Sequence, residues 1–185
     1  HRLFRRQRQM CIRDRLRRTL GRKNSINSRK LMIIKIISIG NKLNTWEQDS
    51  INFYLKQLPK NLKIEFVNLK SHQNPNYSES EVVKKESQLI MSKLSKDNFI
   101  IAFDMNGDQI CSKKFSDLIF NNQESDKTIT FVIGGSFGLS SEIKDNSNKV
   151  LSASLFTFPH RLFRLILVEQ IYRAHTIVNN MPYHK

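Results

Sequence analysis

In the stretch TFVIGGSFGLS, Thr130 to Ser140, a strand-like apolar run ends on two adjacent glycines. Three of the chain's six glycines, Gly134, Gly135 and Gly138, fall within five residues. Ordering glycine costs more backbone entropy than ordering any other residue, so such a cluster needs a reason. Either the chain turns tightly here, or the bare backbone lets something come close. The loop matches neither of the common phosphate cradles: no G-x-G-x-x-G follows the first apolar run, and no G-K-[ST] occurs. Asp104 ends another apolar run and suits a turn cap as well as a ligand contact. Further on, His160, Arg164, Glu169 and Arg173 follow one another at spacings of four, five and four. The first and last pairs therefore each share a helix face. They form either a functional row or the solvated side of an amphipathic helix. The late histidines have neither an H-E-x-x-H motif nor carboxylates at ligand spacing, so no metal site is expected. No serine stands in a G-x-S-x-G elbow. The terminal MPYHK reads either as a disordered end or as a Pro-anchored Tyr183–His184 pair able to meet a base or a phosphate.

The elements that must position these residues alternate in type. Residues 32–40 (MIIKIISIG) are β-branched and bounded by Gly40 and Asn41, which predicts a first strand. Residues 44–58 set Trp46, Ile51, Tyr54, Leu55 and Leu58 at helical spacing before Pro59. Strands are predicted at 62–70, 98–107, 128–135 and 149–158, and helices at about 80–94, 112–122, 140–147 and 159–180. This alternation predicts an α/β fold on a mostly parallel sheet with flanking helices. Ligands of such sheets bind at the carboxyl ends of the strands. That places Asp104, Gly134–Gly135 and Thr157–Phe158 on one rim.

The net charge of +15 is unevenly spread. Residues 1–31 hold 12 Lys/Arg and one Asp, whereas the other 154 residues carry only +4. The basicity belongs to the N-terminal extension and says little about the folded body. The extension has three competing readings: an RNA-binding arm, a transit-type leader, or translated sequence upstream of a start at Met32. The domain itself is expected over 32–185. Cys11 and Cys111 fit neither a disulfide framework nor a metal motif, which favours a reducing cytoplasm.

Three motifs in fixed order carry a resemblance. FVIGGSFGLS, SLFTFPH and RLILVEQIYRAHTIVNNMPYHK, together with ISIGNK near Met32, closely resemble the RlmH family of SPOUT-superfamily ribosomal RNA methyltransferases. The likeness covers Met32 to Lys185. It implies a C-terminal trefoil knot, a homodimer whose active sites are each completed by the partner chain, and S-adenosylmethionine as methyl donor. The implied acceptor is N3 of a pseudouridine in large-subunit RNA on the assembled ribosome.

Carried over residue by residue, Phe103 stands where the family has Leu, beside the adenine. Gly134 and Gly135 fall on the cofactor loop, where a side chain would occupy the cofactor's space. Ala153, Ser154, Leu155, Phe156, Thr157 and Phe158 fall on the segment bordering adenine and methionine. The resemblance also implies that His160, Arg161, Arg164, Glu169, Tyr172 and Lys185 face RNA. Arg173 would stabilise charge on the base, His184 or a water near it would take the N3 proton, and Tyr183 would position the base. A non-catalytic RNA-binding protein of the same fold is the alternative.

Overall fold

The computed structural model describes residues 31–40, 42–121 and 128–184. The basic extension at 1–30 lies outside them. Five parallel strands form one sheet: β1 (Met32–Ile39), β2 (Leu62–Leu69), β3 (Phe99–Gln109), β4 (Ile129–Ile133) and β5 (Lys149–Ser152), in the order β2-β1-β4-β3-β5. The helices are α1 (Thr45–Leu55), α2 (Glu79–Met91), α3 (Ser112–Asn121), α4 (Ser141–Asp145) and α5 (His160–Val178). A 3-10 turn, Pro182–His184, follows α5. None of the described helices is long and apolar enough to cross a membrane.

Strand side chains alternate between two cores, as the two-residue period requires. Ile34 and Ile36 of β1, Ile101 of β3 and Ile129, Phe131 and Ile133 of β4 meet Ile51 of α1, Phe115 and Ile119 of α3, and Phe163, Leu167 and Ile171 of α5. On the other face Ile37, Ile39, Ile100, Ala102 and Val132 meet Ile90 of α2 and Ile143 of α4. Covered on both faces, β4 is buried at all five positions. It pairs Phe131 with Ile36 of β1 on one side and with Ile101 of β3 on the other. Burying one such side chain contributes about 2 kcal/mol.

Helix starts follow the sequence closely. Asn44 and Glu47 close a capping box on α1, Ser78 and Glu81 close one on α2, and Ser140 caps α4. Two strands differ from expectation. The run predicted as strand over 149–158 ends at Ser152. Beyond it, the Ser152 hydroxyl donates to the Ser154 carbonyl (3.1 Å) and the Phe156 amide donates to Ser154 Oγ (2.9 Å), so side-chain bonds replace ladder bonds. β3, conversely, runs past the expected turn at Asp104. Its register on β5 shifts between Phe103 and Asp108, a bulge that lets Asp108 pair with Leu151. The Asp104 carboxylate accepts from the Asn106 amide (3.0 Å) and from Lys144 on α4 (3.4 Å), so it braces the bulge.

Candidate active site

At the carboxyl rim, β4 runs into the glycine loop. Gly135 bridges to Gly138, whose amide donates to the Gly135 carbonyl (3.0 Å). Gly138 takes φ +80°, a conformation that side chains disfavour. The sequence had assigned the bareness of Gly134 and Gly135 to a cofactor, and the structure corrects that reason. A Cβ on Gly134 would lie 2.8 Å from the Gly138 carbonyl carbon and oxygen, and one on Gly135 would strike the Glu86 carboxylate. The chain's own atoms already fill those two spaces. Gly134→Ala is expected to destabilise by about 1–3 kcal/mol through overpacking against backbone, read as a lowered denaturation midpoint with an unchanged slope.

Phe103 sits beside this loop, half-buried, with its ring against Phe131 (centroids 5.8 Å) and edge-on to Phe163 (4.9 Å). The segment Ala153–Phe158 leaves Leu155 and Phe156 92% and 81% exposed. Three backbone segments thus converge on one rim: the ends of β3, β4 and β5.

α5 follows immediately, and its predicted row of polar residues divides. His160 and Arg161 are exposed, whereas Arg164 is only 3% exposed. The Arg164 guanidinium donates to Glu47 (2.7 Å) and to Asn68 (3.1 Å), which also accepts from Ser38 (3.2 Å). The expectation that Arg164 faces RNA is therefore corrected: its charge is spent inside the fold, tying α5 to α1 and β2. Tyr172 is likewise internal, 5% exposed, with its hydroxyl donating to Gln57 (3.0 Å) and its ring against Tyr54. It does not present a face to RNA. Its ring supports that of Tyr183 instead.

Tyr183 itself is 39% exposed. Helix α5 ends in a Schellman turn: Asn180 takes φ +52°, its amide donates to the Ile177 carbonyl, and the Met181 amide donates to the Thr176 carbonyl. The turn folds the tail back: of the two readings the sequence left open, a disordered end and a Pro-anchored pair, the structure shows an ordered Pro182–His184 turn against α5. The Tyr183 ring stands edge-on to Tyr172 (4.8 Å) and lies under the Arg173 guanidinium (5.0 Å). Glu169 Oε1 accepts from Arg173 twice (2.9 and 2.7 Å) and from the Tyr183 hydroxyl (3.1 Å). Its other oxygen accepts from Gln170 (2.7 Å), which Ser112 holds in turn (2.8 Å). Glu169 is thus a hub that orients Arg173 and Tyr183, a role beyond its sequence assignment to RNA contact.

The hydrogen bonds to Glu169 push the Arg173 pKa above its ordinary value. Loss of water, then hydrogen bonding to Tyr54 and Glu169, holds the Tyr183 hydroxyl well above the usual phenol range, so it remains a donor. The His184 side chain and Lys185 lie outside the described residues.

Loss of water around the rings lowers the pKa of both His160 and His175; Arg164 lowers His160 further, while Glu86 opposes it. A base whose folded pKa is lowered leaves the unfolded chain binding more protons as the pH drops. Stability should therefore hold above ~7.5 and decline as the pH falls through ~6.5, levelling once both rings are protonated in the fold. Thermal denaturation across pH 5–8 checks this, and a His160→Gln/His175→Gln double variant should lose most of the slope.

Comparison with known proteins fits this arrangement. Residues 32–184 match the family model described as "Predicted SPOUT methyltransferase". The chain is 42% identical over 159 residues to "Ribosomal RNA large subunit methyltransferase H 1" of Clostridium perfringens (strain SM101 / Type A). It is equally similar to "Ribosomal RNA large subunit methyltransferase H" of Clostridium botulinum (strain Loch Maree / Type A3). Each alignment covers 83% of this chain and 100% of the relative. With the parallel sheet and its convergent rim, these matches show that the chain belongs to the SPOUT methyltransferase family.

Proposed function

We propose that the protein methylates N3 of a pseudouridine in large-subunit ribosomal RNA, on assembled ribosomes in the cytoplasm, with S-adenosylmethionine as donor. The observation that carries this reading is the pairing of relatives so named over their whole length with the Glu169–Arg173–Tyr183 cluster on α5, the helix that follows the rim. The residues fit such a cofactor: Phe103 offers an apolar edge, Gly134–Gly138 a tight backbone turn, and Ala153–Phe158 a backbone segment for adenine and methionine. When bound, S-adenosylmethionine supplies an electrophilic methyl group.

N3 of pseudouridine carries a proton and must lose it before its lone pair can react. Arg173, charged at any working pH, stabilises the negative charge that develops on the flanking base carbonyls. Tyr183 places the base and keeps its own proton. His184 or a water beside it accepts the N3 proton. Arg161 and Lys185, with His160, supply phosphate contacts that orient the RNA without reading its sequence.

The exposed Leu155 and Phe156 support a homodimer in which the partner chain covers them and completes each site. The test is methyl transfer from labelled cofactor by the full chain to ribosomes lacking the modification, with the methylated nucleoside identified by mass spectrometry. The expected product is a 3-methylpseudouridine in large-subunit RNA, and absence of incorporation would overturn the assignment.

A further inference from the structure

Glu86, on α2, is 3% exposed. Its Oε1 accepts from the Ser71 hydroxyl (2.9 Å) and the His72 amide (3.1 Å). Its Oε2 is buried, has no hydrogen-bond partner among the described residues, and lies against the bare α-carbon of Gly135. A buried carboxylate is costly unless something compensates its charge. Among the described residues no Lys or Arg forms an ion pair with it. His160 feels its charge, but loss of water and the nearby Arg164 disfavour the imidazolium that would neutralise it. Among the described residues the counter-charge is therefore missing, at the underside of the loop that the proposed function assigns to the cofactor.

We infer that Glu86 is a specificity-determining residue whose buried charge makes the glycine-loop pocket favour a cationic cofactor over its neutral product. This rests on the reading that the loop at Gly134–Gly138 holds S-adenosylmethionine. That cofactor carries a sulfonium, and methyl transfer leaves an uncharged thioether in S-adenosylhomocysteine. A fixed negative charge behind the loop attracts the first and not the second. Because Gly135 has no side chain, the carboxylate comes directly against the loop's backbone. The charge thus favours binding of fresh cofactor and release of the spent one.

The experiment is calorimetric titration of the full chain and its Glu86→Gln variant with three ligands. These are S-adenosylmethionine, S-adenosylhomocysteine, and sinefungin, which bears an ammonium in place of the sulfonium. Glu86→Gln should weaken both cationic ligands on the order of tenfold, the scale of two charges about 12 Å apart at effective dielectric ~20, and change the neutral product's affinity less than about twofold. Glu86→Asp should restore the preference. If the glutamine variant does not fold by circular dichroism, Glu86→Met replaces it with the same expectation. Equal losses for all three ligands would make Glu86 a packing residue only and overturn the inference, as would no loss for any. If the unaltered protein binds none of the three, the cofactor reading itself fails, an outcome distinct from either.

Discussion

Arg173→Ala is expected to lower the kcat of methyl transfer by about 10²–10³-fold, the usual cost of removing one preorganised donor aimed at developing charge. The affinity for S-adenosylmethionine should stay within about twofold. The reason is geometric. Arg173 does not belong to the glycine loop; it rises from α5 with Glu169 Oε1 holding two of its N–H groups and the Tyr183 ring beneath it. Its side chain keeps 31% of its surface open, enough to meet a base while remaining anchored. Arg173→Lys should recover only part of the rate, because a point charge cannot bond Glu169 twice and present a further N–H at a fixed angle. Glu169→Gln should cost about tenfold by releasing both Arg173 and the Tyr183 hydroxyl. Single-turnover rates on unmodified ribosomes measure all three, and a full rate for Arg173→Ala would remove this residue from the chemistry.

The largest effect on stability is expected at the Glu47–Arg164 pair. Both side chains are essentially buried, 0% and 3% exposed, and 2.7 Å apart. Glu47 also closes the capping box of α1, its second carboxylate oxygen accepting from the Asn44 amide (3.1 Å). Removing either partner strands the other charge in the core. Glu47→Ala or Arg164→Ala should therefore cost about 3–5 kcal/mol, or roughly 10 °C in Tm for a domain of this size. Replacing both at once, by Glu47→Leu with Arg164→Met, should cost far less, because two apolar side chains leave nothing unpaired. If the double variant is as unstable as the singles, the pair is needed for the geometry of α5 and not merely for mutual neutralisation.

These two sites differ in how openly the sequence announces them. The β-branched runs at 32–39 and 129–133 declared their strands, because continuous apolar sequence suits strands buried on both faces. Strand order was not legible, since parallel neighbours are brought together by crossovers and not by adjacent turns. The overlong β5 arose from real β-propensity in LFTF, which the Ser154 hydroxyl overrides by bonding its own neighbours. Arg164 looked like a surface cation because its partner lies 117 positions earlier. The capping box N-T-W-E at Asn44–Glu47 was a readable signal for half of that pair. Glu86 was readable too: it lies four residues from both Val82 and Ile90, which puts it on the buried face of α2. An acidic residue on an apolar stripe is worth singling out in any sequence.

The sheet order carries a consequence for how the protein is made. The middle strand, β4, enters late in the chain, between β1 and β3, which are already synthesised. While the polypeptide emerges, β1 can pair with β2 at once, but its other edge and both edges of β3 stay unpaired until Ile133 clears the exit tunnel. Unpaired apolar strand edges invite pairing with other chains. The nascent domain therefore passes through an interval in which its most hydrophobic edges are open; β4 joins β1 to β3, and β5 then covers the remaining edge of β3. Substitutions that weaken β4 should lower soluble yield during rapid synthesis more than they lower the stability of the finished fold.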